Sequence, residues 1–182
     1  MDEIGLSGMA VREWLGQGVS LVALALCVAG FASRRDDRLF ALLLVANLAF
    51  AAQFALFQSW VAASISALIV LRIALVRRYP GNGAVMAAML AATLVVAALT
   101  WSGWRDVPAL LAGLLGTYGM FMLRGIAMRA LLAAAACCWI ISNLLAGSIG
   151  GTLAETLILV TNLITVWRLR RAALRYGLTG GG

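Results

Sequence analysis

The sequence predicts an all-α, polytopic membrane protein: seven transmembrane helices in a 3+1+3 arrangement of parallel repeats. Three observations carry this. Hydrophobic residues make up 64% of the 182-residue chain and charged ones 12%, where a soluble domain carries about 25% charged residues. The arginines gather at the ends of apolar stretches, and mostly at every second turn. The polar residues inside those stretches recur when the chain is slid against itself so that Arg34 falls on Arg124.

Each helix is an apolar stretch closed by charge, glycine or proline. Helix one, Leu15–Ser33, ends at Arg34-Arg35-Asp36-Asp37-Arg38. Helix two, Leu39–Phe57, ends at Gln58-Ser59-Trp60. Helix three, Val61–Val76, is closed by Arg77-Arg78-Tyr79-Pro80-Gly81. Helix four, Gly83–Trp101, runs into Ser102-Gly103-Trp104-Arg105. Helix five, Val107–Leu123, stops at Arg124-Gly125, and helix six, Ala130–Leu145, stops at Gly147. Helix seven, Ile149–Trp167, runs into an arginine-rich end. The N-terminal Met1–Gln17 is acidic where a signal peptide is basic, so helix one is expected to be retained. Residues 15–78 form the first three-helix repeat, 83–101 the linker helix and 107–171 the second repeat within one transmembrane domain. Residues 177–182 read as a disordered tail.

The charges orient the chain. The N-terminus and the turns after helices two, four and six hold Arg12 and Arg105. The opposite turns hold Arg34, Arg35, Arg38, Arg77, Arg78, Arg124 and Arg129, and the C-terminal end adds Arg168, Arg170, Arg171 and Arg175. Cytoplasmic loops carry the excess of basic residues. The N-terminus is therefore expected in the periplasm and the C-terminus in the cytoplasm of a bacterial inner membrane. Trp14, Trp60, Trp101 and Trp104 fall at the outer boundary and Trp167 at the inner one, as interfacial aromatic belts require. An odd number of helices is needed for this alternation.

One arginine is out of place. Arg72 lies inside helix three, and an ionisable group within a span is a functional-site candidate because its burial in hydrocarbon is costly. The repeat gives it a counterpart. Arg34 falls on Arg124, Gln53 on Asn143, Arg72 on Asn162 and Arg78 on Arg168. Parallel repeats place a solute site near the midplane between the halves. Arg72, Asn162, Asn143, Gln53 and Trp139 are the residues expected to line it. Glu155, a carboxylate within helix seven, falls on Ile65 and so lies about 10 Å outward of Arg72 at 1.5 Å per residue.

Arg72 admits three roles: an ion pair with Glu155, a ligand site whose fork grips a carboxylate, phosphate or polyol, or a side chain that snorkels to the cytoplasmic interface. Glu155 is either that partner or solvated near the outer surface. The amides also serve as interhelical glue. Trp139 is either a packing aromatic or a stacking surface for a bound molecule. Gly147-Ser-Ile-Gly-Gly151 matches a helix-dimerisation spacing in letters but straddles a turn, where tight reversal is the simpler cause.

Other chemistry is thin. With 14 Lys+Arg residues, all of them arginine, and no histidine, the usual general base and Schiff-base nucleophile are missing. Cys27, Cys137 and Cys138 have no metal-ligand spacing and read as small buried hydrophobes. Neither an enzyme, a cofactor nor a metal is expected. The formal charge of +7 caps hydrophobic segments rather than forming a patch, which argues against nucleic acid as a partner.

The segment Cys137-Cys-Trp-Ile-Ile-Ser-Asn-Leu-Leu-Ala-Gly-Ser-Ile-Gly-Gly-Thr152, Glu155 and the arginine-rich end of helix seven resemble the YgjV family of bacterial inner-membrane proteins. Leu15-Gly-Gln-Gly-Val19, the turn Phe31–Phe40 and Arg72 fit as well. The resemblance spans about residues 15–171 and implies a location rather than a reaction. More remotely, the plan is similar to SWEET and PQ-loop transporters, in which an asparagine on the third helix of each repeat faces the substrate. Asn162 matches that position, Arg72 replaces its counterpart, and the Pro-Gln motif is absent.

The function expected is small-solute transport through a central site, with a non-transporting structural or partner-binding bundle as the alternative. The expected partners are the lipid bilayer and a small polar or anionic solute, with a homo-oligomer left open.

Overall fold

The computed structural model describes the chain over residues 2–32 and 36–175, and its side chains over 11–29, 41–172 and 174. The expected tail at 177–182 and the arginine pair at 34–35 lie outside these. Among the described residues the chain is helical: α1 (Asp2–Ala32), α2 (Asp36–Leu56), α3 (Trp60–Arg78), α4 (Gly83–Thr100), a 3-10 turn (Trp104–Asp106), α5 (Val107–Met122), α6 (Gly125–Ala146) and α7 (Ile149–Arg175).

Five helices are long and apolar enough to cross a membrane: α1 over Val11–Ala29, α3, α4, α6, and α7 over Ile149–Ala172. The apolar part of α2, Ala41–Leu56, and α5, at 16 residues, are shorter than the ~20 residues that a span needs. Three ends depart from expectation. α1 begins at Asp2 rather than Leu15, since no proline interrupts the stretch before it. α7 continues past Trp167 to Arg175, because arginine, alanine and leucine sustain a helix after the apolar run has ended. α6 starts at Gly125, which takes Arg129 out of the turn and into the helix.

The turns are set by a few residues. Asn82 Oδ1 accepts from the amides of Ala84 at 3.0 Å and Val85 at 3.1 Å, capping α4. Asp106 Oδ2 accepts from Ser102 N, Ser102 Oγ and Gly103 N at 2.7, 2.8 and 3.1 Å and fixes the α4–α5 reversal. Gly147 closes α6 with φ 76°, and Ser148 N donates back to Asn143 O at 2.9 Å. The α2–α3 reversal has the same form: Gln58 has φ 58° and Ser59 N donates to Phe54 O at 2.8 Å.

α1 packs on α2 and α7, α2 on α3, α3 on α5, α5 on α6 and α6 on α7, while α4 lies against α3 and α5. The circuit α1–α2–α3–α5–α6–α7 thus closes on itself. The outer surface of the bundle, α4 included, is apolar, with Leu99 80% and Leu144 62% exposed. Buried within the circuit are Ser20, Gln53, Ser66, Ser142 and Asn143. This distribution suits lipid outside, where the drive for helix association comes from close packing and interhelical hydrogen bonds.

Small residues let the backbones approach. Any side chain at Gly150 would run into the backbone of Ser20 on α1, and one at Gly151 would strike the Asn143 side chain. Gly147 therefore serves the reversal, as the sequence suggests, but Gly150 and Gly151 serve the packing of α7. Gln17 donates to Gly147 O and accepts from Ile149 N, and Gly150 N donates to Ser20 Oγ at 3.2 Å, so α1 is tied to the start of α7. Cys27 is buried as expected, whereas Cys137 lies on the outer surface of α6, where an apolar side chain faces outward at no cost.

Candidate functional site

Arg72 is 8% exposed, and it reaches its position because α5 presents glycine there. Nη1 donates to Gly113 O at 3.3 Å and, more weakly, to Thr117 Oγ1 at 3.5 Å. Thr117 in turn donates to Gly113 O at 2.8 Å. A Cβ on Gly116 would lie 2.7 Å from Nη1. The guanidinium is thus laid across the α5 backbone through a gap that Gly116 leaves. Its Nε is buried without a hydrogen-bond partner. An arginine has five N–H donors, so this one is only partly satisfied.

Arg72 lines a cavity of about 260 Å³ together with Asn162, Trp139, Glu155, Asn47 and Arg129. On α7, Glu155, Ile158 and Asn162 fall on one face at helical spacing and all border it. Asn162 is held by Nδ2 donating to Ile158 O at 3.0 Å, and its Oδ1 accepts from Arg129 Nη1 at 3.3 Å. Asn47 donates to Leu43 O at 2.8 Å.

The expected ion pair is not made. Arg72 and Glu155 border the same cavity, but among the described residues no ion pair joins them. The reason is the hold of α5 on the guanidinium: its nearer partners are a backbone carbonyl and a threonine hydroxyl.

Gln53 and Asn143 were also expected at the site, and they stand beside it. Gln53 Nε2 donates to Asn143 Oδ1 at 2.9 Å, across 90 residues of sequence, and Asn143 Nδ2 donates to Trp139 O at 3.0 Å. Both side chains are fully buried, and Gln53 Oε1 has no partner. Beside them the Phe54 and Trp139 rings meet with centroids 5.7 Å apart, tilted by 32°. Trp139 therefore packs against an aromatic neighbour and also borders the cavity.

These side chains form a layer across the bundle. On α2, Asn47 borders the Arg72 cavity, Gln53 and Phe54 follow, and Phe57 borders two further cavities of about 370 and 200 Å³. On α6 the order is Trp139, Asn143, Ala146, and on α3 it is Ile69, Ile65, Ala62. Three helices thus agree that the layer separates the Arg72 cavity from a pair of cavities at the other end. The 370 Å³ cavity is lined by Arg12, Glu13 and Gln17 of α1 and by Gly147 at the end of α6, among others.

Sequence reasoning missed Arg129, Thr117 and Gly116. Arg129 was counted among the turn arginines because the helix was started one residue after it. The absence of any proline between Gly125 and Arg129 was the signal that it belonged to the helix. Gly116 carries no signal of its own in a sequence with 19 glycines.

Comparison with known proteins agrees with this membrane architecture. The chain is 27% identical over 164 residues to the inner membrane protein YgjV of Escherichia coli (strain K12), covering 88% of this chain and 89% of that protein. No solved structure matches it. The sequence model of the Imp-YgjV family, described as a bacterial inner membrane protein, matches residues 14–173. The chain belongs to the YgjV family of bacterial inner membrane proteins.

Proposed function

We propose that the chain is a small-solute transporter of the bacterial inner membrane, taking its solute at the cavity between Arg72 on α3 and Asn162 on α7. The observation that carries this is the cavity itself: a mostly apolar wall that carries a buried, partly satisfied arginine together with Glu155, Asn47, Arg129 and Asn162. A group that only glues helices together has its donors filled by neighbouring helices. Arg72 leaves Nε unfilled.

Part of this proposal is a 3+1+3 repeat with seven spans. Gln53 and Asn143 are the two members of one repeat pair, and they bond to each other. Equivalent residues of a two-fold arrangement touch only where they meet the axis, and on this reading the axis passes through this pair. Exchanging α1 with α5, α2 with α6 and α3 with α7 also maps the six-helix circuit onto itself, with α4 outside it against α3 and α5. The α2–α3 and α6–α7 reversals close by the same backbone bond. In alternating access the halves rock about such an axis. The Gln53–Asn143 and Phe54–Trp139 layer then closes the site toward the N-terminal, periplasmic side, and the arginine-rich turns face the cytoplasm.

A second possibility rests on one observation: Arg72 Nη1 is bonded to α5, as a structural arginine would be. In that case the protein is a bundle that holds or binds a partner and moves nothing. Flux through liposomes decides between them. Purified protein is reconstituted and offered amino acids, carboxylates, phosphate and sugars, with Arg72→Ala beside the wild type. A transporter moves at least one solute class and loses it on Arg72→Ala. If no solute moves, or the variant matches the wild type, the bundle is structural.

A further inference from the structure

We propose that the solute of this cavity is a zwitterion of amino-acid size, held by its carboxylate at Arg72 and by its ammonium at Glu155. This deepens the transporter reading and rests on it.

Opposite charges inside an apolar bundle attract strongly, and a pair separated from water is stable only when it is closed and hydrogen-bonded. Here the pair is open. Arg72 on α3 and Glu155 on α7 border one cavity without an ion pair between them among the described residues. α5 keeps them apart by holding Nη1 at Gly113 O and Thr117 Oγ1. What completes this arrangement is a molecule carrying one group of each sign.

The free edge of Arg72 fits the acidic half. With Nη1 committed to α5, no bond is made along the Nε–Nη2 edge. Nε is sealed from the cavity, so a carboxylate is gripped at Nη2, which makes no hydrogen bond among the described residues. Glu155 fits the basic half, since a carboxylate accepts from an ammonium. A simple anion satisfies Arg72 but brings a second negative charge toward Glu155. An amine without a carboxylate does the reverse. A neutral sugar leaves both charges without a counter-ion. The other arginine on the wall, Arg129, is engaged with Asn162.

Volume points the same way. The cavity of about 260 Å³ is smaller than the ~300–1,000 Å³ of sites for drug-sized ligands. It suits a molecule of a few heavy atoms, with a short side chain running along Ile69, Ala135 and Trp139.

The test is binding to the purified full chain, measured by titration calorimetry. The probes are glycine, serine, leucine and glutamate as zwitterions, lactate as the carboxylate without ammonium, ethanolamine as the ammonium without carboxylate, and glucose. At least one amino acid is expected to bind, with lactate and ethanolamine on the order of tenfold to hundredfold weaker, the factor for losing one charge-assisted hydrogen bond. Glu155→Gln is expected to bring the best amino acid and lactate to within about threefold of each other, and Arg72→Gln to abolish both. The proposal is overturned if no amino acid binds, if lactate or glucose binds as tightly as the best amino acid, or if Glu155→Gln leaves their ratio unchanged. Flux of the same probes in liposomes separates the two claims. Transport of lactate or glucose but not of amino acids sinks the zwitterion and keeps the transporter. Amino-acid binding without flux keeps the site and sinks transport.

Discussion

The most exacting local test of the site is Gly116→Ala. In an ordinary helix interior, replacing glycine by alanine stabilises by roughly 0.8–1 kcal/mol. At this position the new Cβ would lie 2.7 Å from Arg72 Nη1 and 3.2 Å from its Cζ. The guanidinium is the far end of a flexible side chain, so it moves rather than α5. In moving it gives up the bonds to Gly113 O and Thr117 Oγ1, at 3.3 and 3.5 Å. Hydrogen bonds to a charged group contribute about 1.5–3 kcal/mol, and these are long, so the lower figure applies. Setting that loss of about 1.5 kcal/mol against the helical gain of about 1 kcal/mol, the variant is slightly destabilised instead of stabilised. Gly18→Ala on α1 is the control, because a Cβ there meets nothing within 4 Å. Thermal unfolding in detergent should rank Gly18→Ala above wild type and Gly116→Ala at or below it. If Gly116→Ala gains as much as Gly18→Ala, the guanidinium is not held against α5 and the account of Arg72 is wrong.

Three further outcomes are expected. Gln53→Leu and Asn143→Leu should be coupled in a double-mutant cycle by about 0.6–1.7 kcal/mol, the range for interhelical bonds in membranes; additive effects would show that the amide pair is not formed. Gln58→Gly should raise thermal stability by up to about 1 kcal/mol, because φ 58° at a non-glycine residue carries a left-handed penalty of roughly that size; a loss of stability would contradict the turn geometry. Gly150→Ala should destabilise by about 1–3 kcal/mol, the usual cost of overpacking, since its Cβ runs into the Ser20 backbone; wild-type stability would mean that α1 and α7 are not in close contact.

Much of the helical layout was legible because hydrocarbon imposes a simple grammar. Apolar runs closed by arginine, glycine or proline located all seven helices. Where apolarity and helicity part company, the ends were misplaced: the arginine-rich end of α7 and the start of α6 are helical without being part of an apolar run. The repeat offset paired Gln53 with Asn143 as equivalents. It gave no sign that they touch, since their contact depends on how α2 and α6 come together in the bundle. Arg72, Asn162 and Trp139 were found as site residues by their polarity or aromaticity inside spans, and one cavity brings them together. Glu155 was singled out too, but its relation to Arg72 was left open. Depth along a helix can be counted from sequence, whereas the competing hold of Gly113 and Thr117 is a matter of packing between α3 and α5.

The central claim is that solute crosses the membrane by way of Arg72. Counterflow exchange measures this most directly: vesicles preloaded with one unlabelled member of the solute panel, the same labelled solute outside, and Arg72→Gln reconstituted to equal density. Wild-type vesicles should accumulate label of at least one solute transiently, and Arg72→Gln vesicles should not. Equal accumulation in both, or none in the wild type for any member of the panel, would contradict it.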